Sequence, residues 1–162
     1  MKAHDLIRYL LGTSRYVMST YLEDMSDAEL LVQPVEGAHH AAWQLGHLIL
    51  SERRMVDAVR GGSGIALPDG FEEAHPKGGA PGIREAVVRK SEYQGLMELQ
   101  RQQTLGLLAR LPEEELSAVA PEIVRAYAPT VGAVFATIGG HELMHSGQIA
   151  VIRRALGKPV RI

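Results

Sequence analysis

Apolar residues recur at helical spacing in four long segments of this chain, and no segment alternates apolar and polar residues as a half-buried strand would. Helices that each carry one apolar stripe must bury it against one another, so the pattern predicts an all-α fold built as a four-helix bundle. The first helix is expected from about Asp5 to Leu22, with Ile7, Leu10, Leu11, Met18 and Tyr21 on one side. Ser26, followed three residues later by Glu29, reads as a capping box that opens a short turn before Pro34. The second helix is expected from about His40 to Arg60, where Ala41, Leu45, Leu48, Ile49, Met55, Val56 and Val59 form its main stripe.

A third helix is predicted from Ser91 to Arg110 through Leu96, Leu99, Leu107 and Leu108, stopped by Pro112. A short turn at Glu113 to Leu116 and an irregular link to Pro129 lead to the last helix, which opens at Thr130 and closes at Gly157. Residues 61–82, between the second and third helices, hold seven of the seventeen glycines and three prolines, so they are expected to form a long irregular connection. That stretch is too short to be a domain linker and no internal repeat is present, so residues 1–162 are read as one domain.

Composition narrows the function. A net charge of −2 with acids and bases interspersed leaves no broad basic face for a phosphate backbone, so nucleic acid is not an expected partner. No uncharged stretch reaches the ~18 apolar residues needed to span a bilayer, and Asp5 and Arg8 interrupt the apolar run at the N-terminus; the expectation is a cytoplasmic protein. The chain has no cysteine, which removes disulfides, thiolate ligands and a cysteine nucleophile together. Any metal must be held by His, Asp or Glu, and any thiol must arrive on a small molecule.

The last helix contains His141-Glu142-Leu143-Met144-His145, the H-E-x-x-H spacing of zinc proteases. Residues four apart share a helix face. A helical wheel places both imidazoles, and Gln148, within the stripe of Val134, Ile138, Ile149, Ile152 and Leu156, so they are expected to point into the bundle. Two adjacent buried imidazoles need two partners or a cation, and paired histidines are common metal ligands. In the protease arrangement the third ligand lies downstream, but residues 146–162 contain no His, Asp or Glu, so the protease reading lacks its third ligand.

A third ligand must come from upstream, from His4, His39, His40, His47, His75 or a carboxylate. His47 stands in a second, shorter stripe with Trp43 and Leu50, which could line a cleft against the last helix. His39 and His40 sit where a capping or surface role is expected, and His75 lies in the irregular connection. Glu142 is expected to face solvent, or to pair with Arg153 or a partner subunit, rather than to act as a general base. Gln148 is expected to line the pocket. Gly139, Gly140 and Gly147, costly in a helix interior, are expected to admit close approach of another helix.

The pairing of "AAWQLGHLILSE" with "HELMHSGQIAVIRRALGKP" resembles the DinB-like (DinB/YfiT-like) superfamily of bacterial metal-dependent proteins, over nearly the whole chain. Its most specific part is a lone histidine after W-x-x-G, with H-x-x-x-H followed by G-Q. The resemblance implies His47, His141 and His145 as the three metal ligands, an up-down-down-up bundle, a homodimer, and a divalent ion such as zinc or nickel. It also implies S-transferase activity with low-molecular-weight thiols such as bacillithiol or mycothiol, as in some relatives. Many relatives carry Asn-Pro just before the second helix, where this chain has "GAHHAAW". The functional expectation is therefore a metal-dependent enzyme acting on a small molecule, either a thiol S-transferase in detoxification or stress response or a hydrolase using metal-bound water. The alternative is a non-catalytic metal- or ligand-binding bundle.

Overall fold

The computed structural model describes residues 2–76, 78 and 88–162. Four long helices dominate it: α1 (Ala3–Leu22), α2 (Ala41–Val59), α4 (Lys90–Arg110) and α7 (Val131–Ala155). Three single-turn helices, α3 (Phe71–Ala74), α5 (Glu113–Leu116) and α6 (Glu122–Arg125), and a 3₁₀ turn (Glu29–Leu31) lie in the connections. The turn at Glu29 is opened as its sequence implies: the Ser26 N–H donates to Glu29 Oε2 at 2.7 Å and the Glu29 N–H to Ser26 Oγ at 3.3 Å. Helix α7 is capped by Thr130, whose hydroxyl accepts from the Ala133 N–H. Helices α3 and α6 were not anticipated, because four residues are too few to show a period. Of the expected irregular connection, residues 77 and 79–82 lie outside the described residues.

Side-chain pairs fix the helix directions. Ser14 meets Glu142 and Asp24 meets Arg153, so α1 and α7 run parallel. His75, wedged against Gly46 of α2, bonds Tyr93 of α4, and further along Glu52 of α2 meets Arg101 and Thr104 of α4, so these two helices are also parallel. Gln44 meets His145, while Glu52, further along α2, shares Arg101 with Glu142, nearer the start of α7, so α2 and α7 are antiparallel. The order is up-down-down-up. Among the described residues no helix is long and apolar enough to cross a membrane.

The core has two apolar halves. One gathers Met18, Leu22, Leu45, Ile49, Phe71, Tyr93 and Ile149; the other gathers Leu11, Val56, Leu107, Leu108, Val134, Phe135 and Ile138. Between them lies a charged layer to which each long helix contributes one residue: Arg15, Glu52, Arg101 and Glu142. Close packing of α1 on α7 requires Gly139, where a Cβ would stand 2.7 Å from Leu10 Cγ. Gly140 and Gly147, grouped with it from sequence, meet no atom within 4 Å and serve no such approach within the chain.

Candidate metal centre

Helix α2 carries His47 on the face that also bears Trp43 and Gln44, and the antiparallel α7 carries His141 and His145 opposite it. The ligand-competent atoms of the three imidazoles all lie within 4.8 Å of one another. The ring of His47 stacks on Trp43 (centroids 4.9 Å apart, planes 6° apart), and Trp43 stacks in turn on His39 at 3.5 Å. A flat aromatic backing of this kind fixes the plane of the His47 ring.

His145 is held by a short chain of hydrogen bonds. Gln44 Nε2 donates to the His39 carbonyl at 3.1 Å, which fixes the amide so that its Oε1 faces His145 Nδ1 at 3.0 Å. An amide oxygen only accepts, so the proton of His145 sits on Nδ1 and its Nε2 presents a lone pair. That lone pair faces His141 Nε2 at 3.1 Å. Two such nitrogens at this distance need a proton or a cation between them. Metal–nitrogen bonds of ~2.0–2.1 Å at a tetrahedral angle would place ligand nitrogens ~3.3 Å apart, close to the separation found. The donor set, three imidazoles with no thiolate or carboxylate, suits a borderline divalent ion such as zinc or nickel. A second-sphere acceptor on the distal nitrogen is the usual support for a ligating histidine.

Two of the histidines, His47 and His141, line a cleft of about 460 Å³ formed with Ser51 and Arg54 of α2 and Gly140 and Met144 of α7. Volumes of this order are those of small-molecule sites.

A family-wide comparison matches residues 10–149 to the DinB superfamily. The chain belongs to the DinB superfamily. Its fold is shared by the crystal structure of a conserved protein from Enterococcus faecalis, with a TM-score of 0.77 and 21% identity, covering 98% of this chain and 99% of that one. No curated protein matches it significantly.

Several side chains of this DinB-superfamily bundle stand elsewhere than the sequence suggested. Gln148 is exposed and does not line the cleft. It falls at the edge of the wheel's stripe, and α7 is buried there through Ile149 and Ala150 instead. Glu142 is only 2% exposed, not solvent-facing, and its partners are Ser14, Arg15 and Arg101. Burial pushes its carboxyl up, but Arg101, Arg15 and Ser14 outweigh this and hold it below the usual range. Arg153, the suggested partner, is committed to Asp24. A carboxylate held by three donors is not placed to serve as a general base at the histidines.

Of the other histidines, His40 caps α2, its Nδ1 accepting from the Trp43 N–H at 3.1 Å, while His4 pairs with Glu113 near the N-terminus. His75 is a core residue, bonded to the Phe71 carbonyl and the Tyr93 hydroxyl. Gln44, which orients His145, was missed from sequence. The available signal was its position three residues before His47.

The environment of these rings sets a pH dependence. Burial lowers the pKa of His141 and of His75, and burial with the neighbouring imidazoles of His141, His47 and His39 pushes His145 down to about 3. In the unfolded chain each ring takes up its proton near 6.5. Between that pH and the folded values the unfolded state binds more protons, so folding stability must fall as pH drops below 6.5. The slope is at most about 1.4 kcal/mol per pH unit for each ring that stays neutral. Urea melts of chelator-treated protein at pH 7.5 and 5.0 are expected to show the midpoint falling at the lower pH; equal midpoints would contradict the assignment of these rings as neutral.

Proposed function

We propose that the protein is a divalent-metal-dependent enzyme that transforms a small molecule held in the cleft between α2 and α7. The observation that carries this reading is that three imidazoles converge, two of them lining an open cavity, and that among the described residues no carboxylate joins their cluster to close the site. Three histidines with an accessible fourth position are the arrangement of catalytic rather than structural zinc. A divalent ion bound there would supply Lewis acidity, enough to bring a bound water or thiol toward ionisation at neutral pH. The reaction is then either hydrolysis or transfer to a low-molecular-weight thiol, which must come from outside because the chain has no cysteine.

The protein's own part is to hold its ligands ready. Gln44 keeps the His145 proton on Nδ1, Trp43 fixes the His47 ring, and Met55 and Met144 cover the cleft beside the histidines with apolar surface. We further place the protein in the cytoplasm and propose a homodimer. Exposed Leu6, Tyr9 and Tyr16 on one side of α1 support the dimer, and light scattering measures it.

Metal content tests the reading. Protein purified without an affinity tag is expected to hold about one divalent ion per chain, and His47→Ala to lose it. Gln44→Leu should retain the ion but bind it about ten- to a hundredfold more weakly, the usual effect of removing a histidine's outer partner. Wild-type protein that takes up no divalent ion, or His47→Ala that keeps full affinity, would overturn the assignment.

A further inference from the structure

We infer that the cleft selects small amphipathic anions, holding the charged end of the molecule on Arg54 and its apolar body between Met55 and Met144. The orientation rests on the proposed function, which makes His47 and His141 the reactive end; the contact with Arg54 does not.

Three observations lead there. First, His47, Ser51 and Arg54 succeed one another at positions i, i+4 and i+7 on α2, so they lie along one face of the helix and all three line the cleft. At 1.5 Å per residue, Arg54 stands about 10 Å from His47 along the helix axis. A bound molecule that reaches both is about 10 Å long.

Second, the charge lining the cleft is of one sign. Among the described residues its lining includes Arg54 and no carboxylate. Glu72 is the acidic group that pairs with Arg54, but its Oε1 accepts from Arg53 Nη1 at 2.8 Å, while Arg54 Nη2 lies 3.9 Å from Oε2, beyond hydrogen-bonding range. Two guanidinium groups share one carboxylate, which leaves one positive charge over at the rim. The Arg54 side chain is 54% exposed, so its fork is open to an incoming anion. Planar bidentate pairing makes a carboxylate, or another oxyanion, the natural partner of such a group.

Third, the cleft is largely apolar and open. Met55 and Met144 line it, together with Tyr127 from the link before α7. Methionine surfaces of this kind adapt to ligands of varied shape. Gly140 stands one residue before His141, and a Cβ there would meet no atom within 4 Å. A side chain at 140 would therefore project into the cleft without disturbing the packing of the bundle. The glycine costs helix stability of about 1 kcal/mol relative to alanine, and what it leaves is room for a ligand.

The test uses octanoate, an apolar carboxylate of about the right length, and octanamide, its uncharged match, titrated calorimetrically into the full-length protein as purified. Metal content is measured on the same samples. Octanoate is expected to bind the wild type at least about tenfold more tightly than octanamide. Arg54→Met, which keeps the apolar contacts, should weaken octanoate by about ten- to a hundredfold, the worth of a charge-assisted hydrogen bond, and leave octanamide unchanged. Gly140→Leu should weaken both probes while leaving the thermal midpoint at or above that of the wild type. Both variants should carry as much metal as the wild type. If octanoate binds Arg54→Met as tightly as wild type, its head lies on the histidine site or elsewhere and the inference fails. Equal binding of the two probes, or no binding of octanoate at millimolar concentration, overturns it as well. Wild-type protein without metal that still binds octanoate through Arg54 would overturn the proposed function and uphold this inference.

Discussion

Replacing Arg101 with Met is expected to destabilise the protein by about 3–5 kcal/mol, the usual cost of removing one partner from a buried ionic group. Arg101 is 3% exposed and stands at the centre of the charged layer. Its Nε and Nη2 donate to the two oxygens of Glu52 at 2.9 and 3.1 Å, Nη2 donates also to Glu142 at 2.8 Å, and Nη1 donates to the Leu11 carbonyl. Burial works against its charge, but Glu52 and Glu142 more than compensate and keep it firmly protonated. Without it, two carboxylates and one helix carbonyl stay buried with Arg15, Ser14 and Thr104 as their remaining donors. The double variant Arg101→Met/Glu52→Met removes a matched pair and leaves Glu142 with Arg15, so it should be more stable than Arg101→Met alone. Chemical denaturation of the two variants decides the matter. A loss below about 1 kcal/mol for Arg101→Met, or a double variant weaker than the single, would show that the layer carries no such coupling.

That layer also marks where sequence reasoning stopped. On α1, α2 and α7 most of the buried positions are apolar, so a 3.6-residue period locates both the helix and its inward side, with ends off by a residue or two. Helix α4 was placed correctly but oriented poorly. Leu99, counted in its stripe, is 47% exposed, whereas Gln100, Arg101 and Thr104 are buried. A polar side chain facing a polar partner on another helix satisfies burial as well as leucine does, and nothing in one segment's sequence discloses the partner. Glu142 is misread for the same reason, since its partners Arg15 and Arg101 are both more than forty residues away and on other helices. The histidine pair of α7 was legible because its spacing is local. The position of His47 opposite that pair depends on how α2 packs on α7, which a second short stripe with Trp43 and Leu50 only suggested.

Gly46→Ala is expected to destabilise the protein by about 3 kcal/mol, although helix propensity alone would make it stabilising by about 1 kcal/mol. A Cβ on residue 46 would stand 2.1 Å from Cδ2 and 2.3 Å from Nε2 of His75. The imidazole cannot easily withdraw. Its Nδ1–H donates to the Phe71 carbonyl at 2.7 Å, its Nε2 accepts from the Tyr93 hydroxyl at 2.9 Å, and it packs against the Phe71 ring at a centroid distance of 4.5 Å. Moving it breaks both bonds inside the core, and moving α2 instead displaces His47, the next residue. His75→Ala should itself cost about 2–3 kcal/mol through the cavity it leaves and the two hydrogen bonds it removes. In that background, however, Gly46→Ala meets no ring and should be neutral or stabilising. The two substitutions are therefore expected to couple by about 3 kcal/mol in a double-mutant cycle. Divalent-metal affinity gives a second readout: Gly46→Ala is expected to weaken it by shifting His47, and the double variant to restore it. Costs that add within about 0.5 kcal/mol would mean that the ring at 75 yields freely and that Gly46 does not seat it.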